Sequence, residues 1–176
     1  MRQPNEIFHP GELDAQRRFN GEKKWSKNSV TALNQMFKVA IDDETAYIIE
    51  NQKYFFIATS SNNGECDCSF RGTEKNDSGK LLQSIIVIDP KTLVFPDYSG
   101  NKIYNSIGNI ISNPNIGMLF IDFNTALRIR INGAARIIEN KSAYIHVWAK
   151  ALRYIEVKVK QVYFNCPKRI KESIEL

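Results

Sequence analysis

The sequence predicts a small antiparallel β-barrel with flanking helices, an α+β fold that is mainly β. Three observations point there. Stretches 65–71, 126–138 and 154–163 alternate apolar and polar residues with the period of two that half-buried strands show, and 53–60, 82–89 and 117–122 are short apolar runs rich in β-branched and aromatic residues. The connections between them are short and carry turn residues. Helical patterning is confined to the N-terminal part, one stretch beyond residue 100 and one at 142–152. At 176 residues the chain is expected to form a single domain, with 1–50 a helical extension, 51–165 the barrel and 166–176 a C-terminal tail.

Residues 10–19 suit a short helix that ends near Asn20-Gly21. From Ser29, the spacing of Val30, Leu33, Met36/Phe37 and Ala40/Ile41 marks the apolar face of an amphipathic helix, with Ser26, Asn28 or Ser29 as N-cap. Asp42-Asp43-Glu44 complement the positive end of a further helix through Tyr47, Ile48 and Ile49. The run 53–60 reads as a strand covered on both faces, and Ser61-Asn62-Asn63-Gly64 as the hairpin turn after it. In 65–71, Cys66, Cys68 and Phe70 share one face and Asp67, Ser69 and Arg71 the other. A Gly/Ser/Asn-rich excursion over 73–80 and a strand at 82–89 complete an expected three-stranded meander. Leu93-Val94-Phe95 is a strand that Pro96 should stop, because proline cannot donate to a ladder. Tyr98-Ser99-Gly100 then turns the chain into a helix beginning near Asn101-Lys102, with Ile103, Tyr104, Ile107, Ile110 and Ile111 on one face and Asn113-Pro114 closing it. Strands at 117–122 and 126–138 follow, the second with a bulge or bend at Gly133, then a helix over 142–152 and a last strand at 154–163.

Several function classes lose support. The net charge is +5, but the basic residues are scattered as Lys23-Lys24, Lys27, Lys158, Lys160, Lys168-Arg169 and Lys171, with no basic arm and no RNA-module signature, so no nucleic-acid partner is expected. The apolar runs are about half the ~20 residues of a membrane span, and residues 1–5 carry no apolar signal segment. A soluble, cytoplasmic protein is expected. Three cysteines do not make a disulfide framework, and Cys66 with Cys68 cannot supply four tetrahedral ligands. These two are expected to be buried structural thiols, and no metal site is expected, since His9 and His146 lack zinc-ligand spacing. No Gly-x-Ser-x-Gly elbow, Walker loop or Gly-x-Gly-x-x-Gly fingerprint occurs.

What the chain does offer is cations and hydroxyls on separate elements: Ser69, Arg71, Lys102, Ser106, Arg128 and Arg130. A helix beginning at Asn101-Lys102 would set Lys102 beside unpaired N–H groups at a positive dipole end, which is a phosphate cradle; the same pattern also fits an ordinary capped helix after a strand. A barrel that gathered these groups would bind a phosphorylated cofactor able to do chemistry the side chains cannot.

Phe56-Ile57-Ala58-Thr59-Ser60, Ser69-Phe70-Arg71-Gly72, Val87-Ile88-Asp89, Phe95-Pro96-Asp97-Tyr98-Ser99-Gly100-Asn101, Ser106-Ile107-Gly108-Asn109-Ile110 and Arg128-Ile129-Arg130-Ile131-Asn132-Gly133 together resemble the pyridoxamine 5′-phosphate oxidase-like family of FMN-binding split barrels, over about residues 50–140. Phe8-His9-Pro10-Gly11-Glu12-Leu13 and Asn165-Cys166-Pro167-Lys168 resemble terminal motifs of one subfamily. The resemblance implies a six- to seven-stranded antiparallel split β-barrel and a homodimer with two FMN sites at the interface, each drawing on both chains. By position, Ser69 and Arg71 would lie along the flavin and ribityl chain, and Phe95 and Pro96 would flank the ring or ribityl. Asn101 and Lys102 would hold the phosphate with Ser106 and Asn109 nearby, and Arg128 would approach the isoalloxazine. Asn101 stands where the true oxidases usually have arginine. The stretch Val162-Tyr163-Phe164-Asn165-Cys166-Pro167-Lys168 replaces their Trp- and Arg/His-rich C-terminal signature, so oxidation of pyridoxamine phosphate itself is not expected. The family also includes flavin reductases, deazaflavin-dependent reductases and haem-degrading members. The expectation is an FMN-dependent oxidoreductase served by a small-molecule substrate or a nicotinamide donor. The alternatives are a non-catalytic flavin-binding or storage module, or a member that uses haem or a deazaflavin.

Overall fold

The structure is a computed structural model that describes residues 1–21 and 25–165. The expectations for Lys23-Lys24, for Cys166-Pro167-Lys168 and for the tail 166–176 lie outside the described residues. The chain falls into two compact units, Met1–Lys38 and Val39–Leu176, each described by itself.

The first unit holds helices α1 (Pro4–Ile7), α2 (Pro10–Asn20) and α3 (Lys27–Met36). His9 caps α2: its Nδ1 accepts from the N–H groups of Gly11 and Glu12, and the Glu12 carboxylate accepts the His9 N–H at 2.9 Å. Ser26 proves to be the cap of α3, accepting from the Ser29 N–H. The helix stops at Met36, earlier than the apolar spacing predicts.

The second unit begins where that spacing continues without a helix. Ile41 is buried and gives its N–H to the Pro90 carbonyl outside any helix. Helix α4 (Asp43–Glu50) follows, capped by Asp42 through the Thr45 N–H. Seven strands come next: β1 (Tyr54–Ser60), β2 (Cys66–Gly72), β3 (Ile86–Asp89), β4 (Thr92–Asp97), β5 (Asn115–Asp122), β6 (Leu127–Ile138) and β7 (Arg153–Asn165). Helix α5 (Asn105–Ser112) lies between β4 and β5. All pairings are antiparallel and the order is β2-β1-β5-β6-β7-β4-β3. The two edge strands, β2 and β3, are not paired with each other, so the sheet does not close and the barrel is split.

The expected meander is therefore corrected: after the β1–β2 hairpin the chain crosses to the opposite edge, where β3 is shorter than 82–89. Side chains claim the missing part. The Trp148 indole N–H donates to the Gln83 carbonyl at 2.6 Å, and the Ser84 hydroxyl donates to the Gln52 carbonyl at 2.7 Å. Strand β4 runs through Pro96 instead of stopping there, because its pairing with β3 has ended at Val94 and the missing N–H falls on an unpaired side. The helix expected at 142–152 is only a 3₁₀ turn, Lys141–Tyr144. Trp148 and Ala151 from that region instead pack with Val94 of β4 and Tyr154 of β7 as a second apolar cluster. The main core is built from inward residues of β1 and β4–β7, with Phe55 stacked on Phe120 and edge-on to Phe95. Gly133 does mark an irregularity: the β6–β7 register shifts beside it, and a Cβ there would meet the Lys158 carbonyl oxygen at 2.5 Å.

Candidate functional site

An open cleft of about 270 Å³ lies between β2, the connection from β4 to α5, and the start of α5. The period of two along β2 puts Asp67, Ser69 and Arg71 on one side, and of these it is this polar row that borders the cleft together with Phe70. Cys66 and Cys68 face the other way and are exposed in this chain, which corrects the expectation of buried thiols. Alternation tells which residues share a face, but not which face is covered, and no second layer of the described chain covers this one. Among the described residues no cluster of His, Cys, Asp or Glu forms a metal site.

The connection to α5 differs from expectation in a way that moves Lys102. The helix starts at Asn105, not near Asn101-Lys102. The Asn101 side chain accepts the Ile103 N–H at 3.0 Å, and both Lys102 (φ 64°) and Tyr104 (φ 62°) adopt left-handed backbone, so helical geometry cannot begin before Tyr104. Lys102 thus lines the cleft from a loop. The N-cap Tyr104 offers no side-chain cap to the first N–H groups of α5.

One end of the cleft is organised by Asp97, which is buried at the end of β4. Its carboxylate is 3.0 Å from Arg71 Nη1 and 3.3 Å from Arg153 Nε, so it is shared by guanidiniums from β2 and β7. The Arg153 guanidinium lies 5.3 Å from the centre of the Tyr104 ring. Arg71 Nε is buried and has no hydrogen-bond partner among the described residues. Tyr98 also lines the cleft, and burial pushes its phenol above the ordinary value. At the other end, Ser106 Oγ donates to Asp67 Oδ2 at 2.9 Å and lies 3.1 Å from Ser69 Oγ.

The structure thus gathers Ser69, Arg71, Asn101, Lys102 and Ser106 around one cleft. Phe95 is part of the main core, and Pro96 is buried in β4. Asn109 faces β1, donating to Thr59 Oγ1 at 3.1 Å and fastening α5 to the sheet. Arg128 sits near the start of β6, opposite Asn165 of β7, and is not among the residues that line the cleft. Sequence reasoning did not find Asp97 as an organiser, nor Arg153 at all. Both stand at strand ends, outside any periodic pattern, and only the β4–β7 register sets Asp97 opposite Arg153. Neither His nor Cys lines the cleft, so among the described residues it offers cations, hydroxyls and engaged carboxylates, a set that binds and orients a ligand.

The sequence profile described as pyridoxamine 5′-phosphate oxidase matches residues 41–166. No curated protein matches the chain. Among solved structures, HupZ of Group A Streptococcus is 21% identical, with a TM-score of 0.54 over 70% of this chain and 93% of that one. A Lactobacillus delbrueckii protein bearing the pyridoxamine 5′-phosphate oxidase name is 16% identical, with a TM-score of 0.52 over 72% of this chain and 95% of that one. At these identities both likenesses speak for the fold. No helix among the described residues is long and apolar enough to cross a membrane.

Proposed function

The chain belongs to the pyridoxamine 5′-phosphate oxidase family, and from that premise we propose that its cleft binds flavin mononucleotide and that the protein is an oxidoreductase acting on a small substrate. The observation that carries the reading is the convergence of Lys102 and Arg71 on one open cleft, with Arg71 Nε buried and lacking a partner among the described residues. Such donors fit a phosphate monoester and a flavin carbonyl, because charge-assisted bonds to oxygen satisfy groups that burial would otherwise leave costly. In this reading Asn101 and Lys102 hold the phosphate, while Ser69 and Arg71 lie along the ribityl chain and ring. Asp97 keeps Arg71 in place through the 3.0 Å ion pair. A bound flavin supplies the hydride and electron transfer for which the side chains of the cleft offer no group.

We place the working unit as a homodimer with its sites at the interface. Arg128 does not line its own chain's cleft, and in this reading a second chain is the route by which it reaches a flavin. Pyridoxamine phosphate itself is not the proposed substrate, because the Trp- and Arg/His-rich C-terminal signature is replaced here.

Absorbance in the flavin bands after mixing with FMN, followed by anaerobic titration with NADH or NADPH, tests the activity. Failure to take up FMN refutes the reading, and a bound flavin that no donor or screened substrate reduces points to storage instead. Mass spectrometry of the co-purifying ligand distinguishes FMN from haem or a deazaflavin. Light scattering at dilute concentration tests the dimer, which a monomer with full flavin affinity would exclude.

A further inference from the structure

Two hydroxyls and a carboxylate in the cleft form a chain whose direction is set by chemistry. Ser106 Oγ lies 2.9 Å from Asp67 Oδ2 and 3.1 Å from Ser69 Oγ. An ionised carboxylate only accepts, and a serine hydroxyl has one proton to give. The Ser106 proton goes to Asp67, so the bond between the serines is donated by Ser69. That commits the only proton Ser69 has. Ser106 is 5% exposed, so water does not compete freely for its hydroxyl. Ser69 therefore meets the cleft with oxygen lone pairs alone.

We propose that Asp67 is a positioning residue which, acting through Ser106, makes Ser69 an obligate hydrogen-bond acceptor. This end of the cleft is then a subsite for a neutral hydroxylated chain or an N–H group, and it rejects an anion. An oxyanion placed at Ser69 would meet lone pairs in front and the Asp67 carboxylate behind. The anion is left to Lys102, which lines the same cleft from the loop before α5. The cleft thus imposes a polarity on any ligand, hydroxyl donor toward Asp67 and negative charge toward Lys102. The proposal deepens the flavin reading and rests on it for the choice of probes.

Three flavins separate the contributions: FMN, riboflavin, which lacks the phosphate, and lumiflavin, which lacks the hydroxylated chain. Fluorescence-quenching titrations are run on the full chain and on Ser69→Ala, Ser69→Thr, Ser106→Ala and Asp67→Asn, with thermal melts to confirm folding. Ser69→Ala should weaken FMN and riboflavin by the same factor, about three- to tenfold, the scale of one hydrogen bond. Lumiflavin should be unmoved. Ser69→Thr, which keeps the oxygen, should retain binding. Ser106→Ala and Asp67→Asn should each weaken FMN and riboflavin equally by about two- to fivefold, again sparing lumiflavin. A Ser69→Ala loss that is larger for FMN than for riboflavin would show Ser69 donating to phosphate, and an equal loss for lumiflavin would show a merely structural role; either overturns the proposal. If the wild type binds none of the three, the flavin reading falls, and the polarity is tested with ribitol and inorganic phosphate by amide NMR. Ribitol should then shift Ser69 and Ser106 signals and phosphate those of Asn101 and Lys102; phosphate shifts centred on Ser69 overturn the proposal.

Discussion

Replacing Lys102 with alanine removes an ammonium from the cleft without altering the backbone demand there, since the residue has φ 64° and alanine bears the same left-handed cost as lysine. Replacing it with glycine removes the same charge and also that cost, about 1 kcal/mol. If Lys102 makes a charge-assisted hydrogen bond to a phosphate, its loss is worth about 1.5–3 kcal/mol, about one to two decades in affinity. The side chain lines an open cleft and is exposed, so solvent screening places the effect at the lower end, near tenfold. The difference should shrink further as the Debye length falls from ~10 Å at ~0.1 M salt to ~3 Å at ~1 M. Fluorescence-quenching titrations with FMN and riboflavin, on wild type, Lys102→Ala and Lys102→Gly, measure the binding part. Both variants should lose about tenfold for FMN and nothing for riboflavin. Denaturant melts of the ligand-free proteins measure the backbone part, with the glycine variant expected to be the more stable of the two by about 1 kcal/mol. Equal losses for FMN and riboflavin would remove Lys102 from the phosphate site, and a glycine variant no more stable than the alanine variant would refute the left-handed loop.

Asp97→Ala should cost about 2–3 kcal/mol in urea melts, because it strands two largely buried guanidiniums, and a loss below about 0.5 kcal/mol would show that the ion pairs carry no weight. Gly133→Ala sets a Cβ 2.5 Å from the Lys158 carbonyl oxygen, a backbone atom that cannot swing away. It should lower stability by about 1–3 kcal/mol, and an unchanged melting temperature would contradict the β6–β7 register. The Arg136 guanidinium, bonded to both carboxylate oxygens of Glu156, holds that carboxyl below its ordinary range. A depressed carboxyl contributes stability above its unfolded pKa and loses it as pH falls through the folded one, so wild type should lose more stability on acidification than Arg136→Met, and parallel acid curves would count against the pair.

Strand positions were legible because a period of two needs no tertiary information: β2, β6 and β7 fall within a few residues of the alternating stretches. The start of α5 was not, since Ile103 and Tyr104 continue the apolar stripe by spacing yet are exposed, and a side-chain turn at Asn101 decides the matter. Nor was the strand order: ahead of β3 the Gln83 carbonyl accepts from Trp148 and the Ser84 hydroxyl donates to Gln52, partners remote in sequence that no local pattern announces. The polar row of β2 could be read as a unit, whereas the pairing of Arg71 with Asp97 joins strands that do not neighbour each other, and that of Asp97 with Arg153 required a register between β4 and β7 that no local pattern encodes. The burial of Cys66 and Cys68 was misjudged because alternation groups residues by face without saying which face another layer covers.

The gap between the edge strands gives the Arg71–Asp97 pair a mechanical meaning. Backbone hydrogen bonds run continuously from β2 to β3 through five intervening strands but do not join the two ends. Arg71 belongs to one end strand, and Asp97 to the strand beside the other, so their ion pair fastens the ring where the ladder leaves it open. A seam held by side chains parts without breaking a ladder, and it is the place where the barrel should breathe at least cost. Whatever engages Arg71 then works on the fastening itself, and occupancy of the cleft becomes coupled to the slow exchange of amide protons along β2.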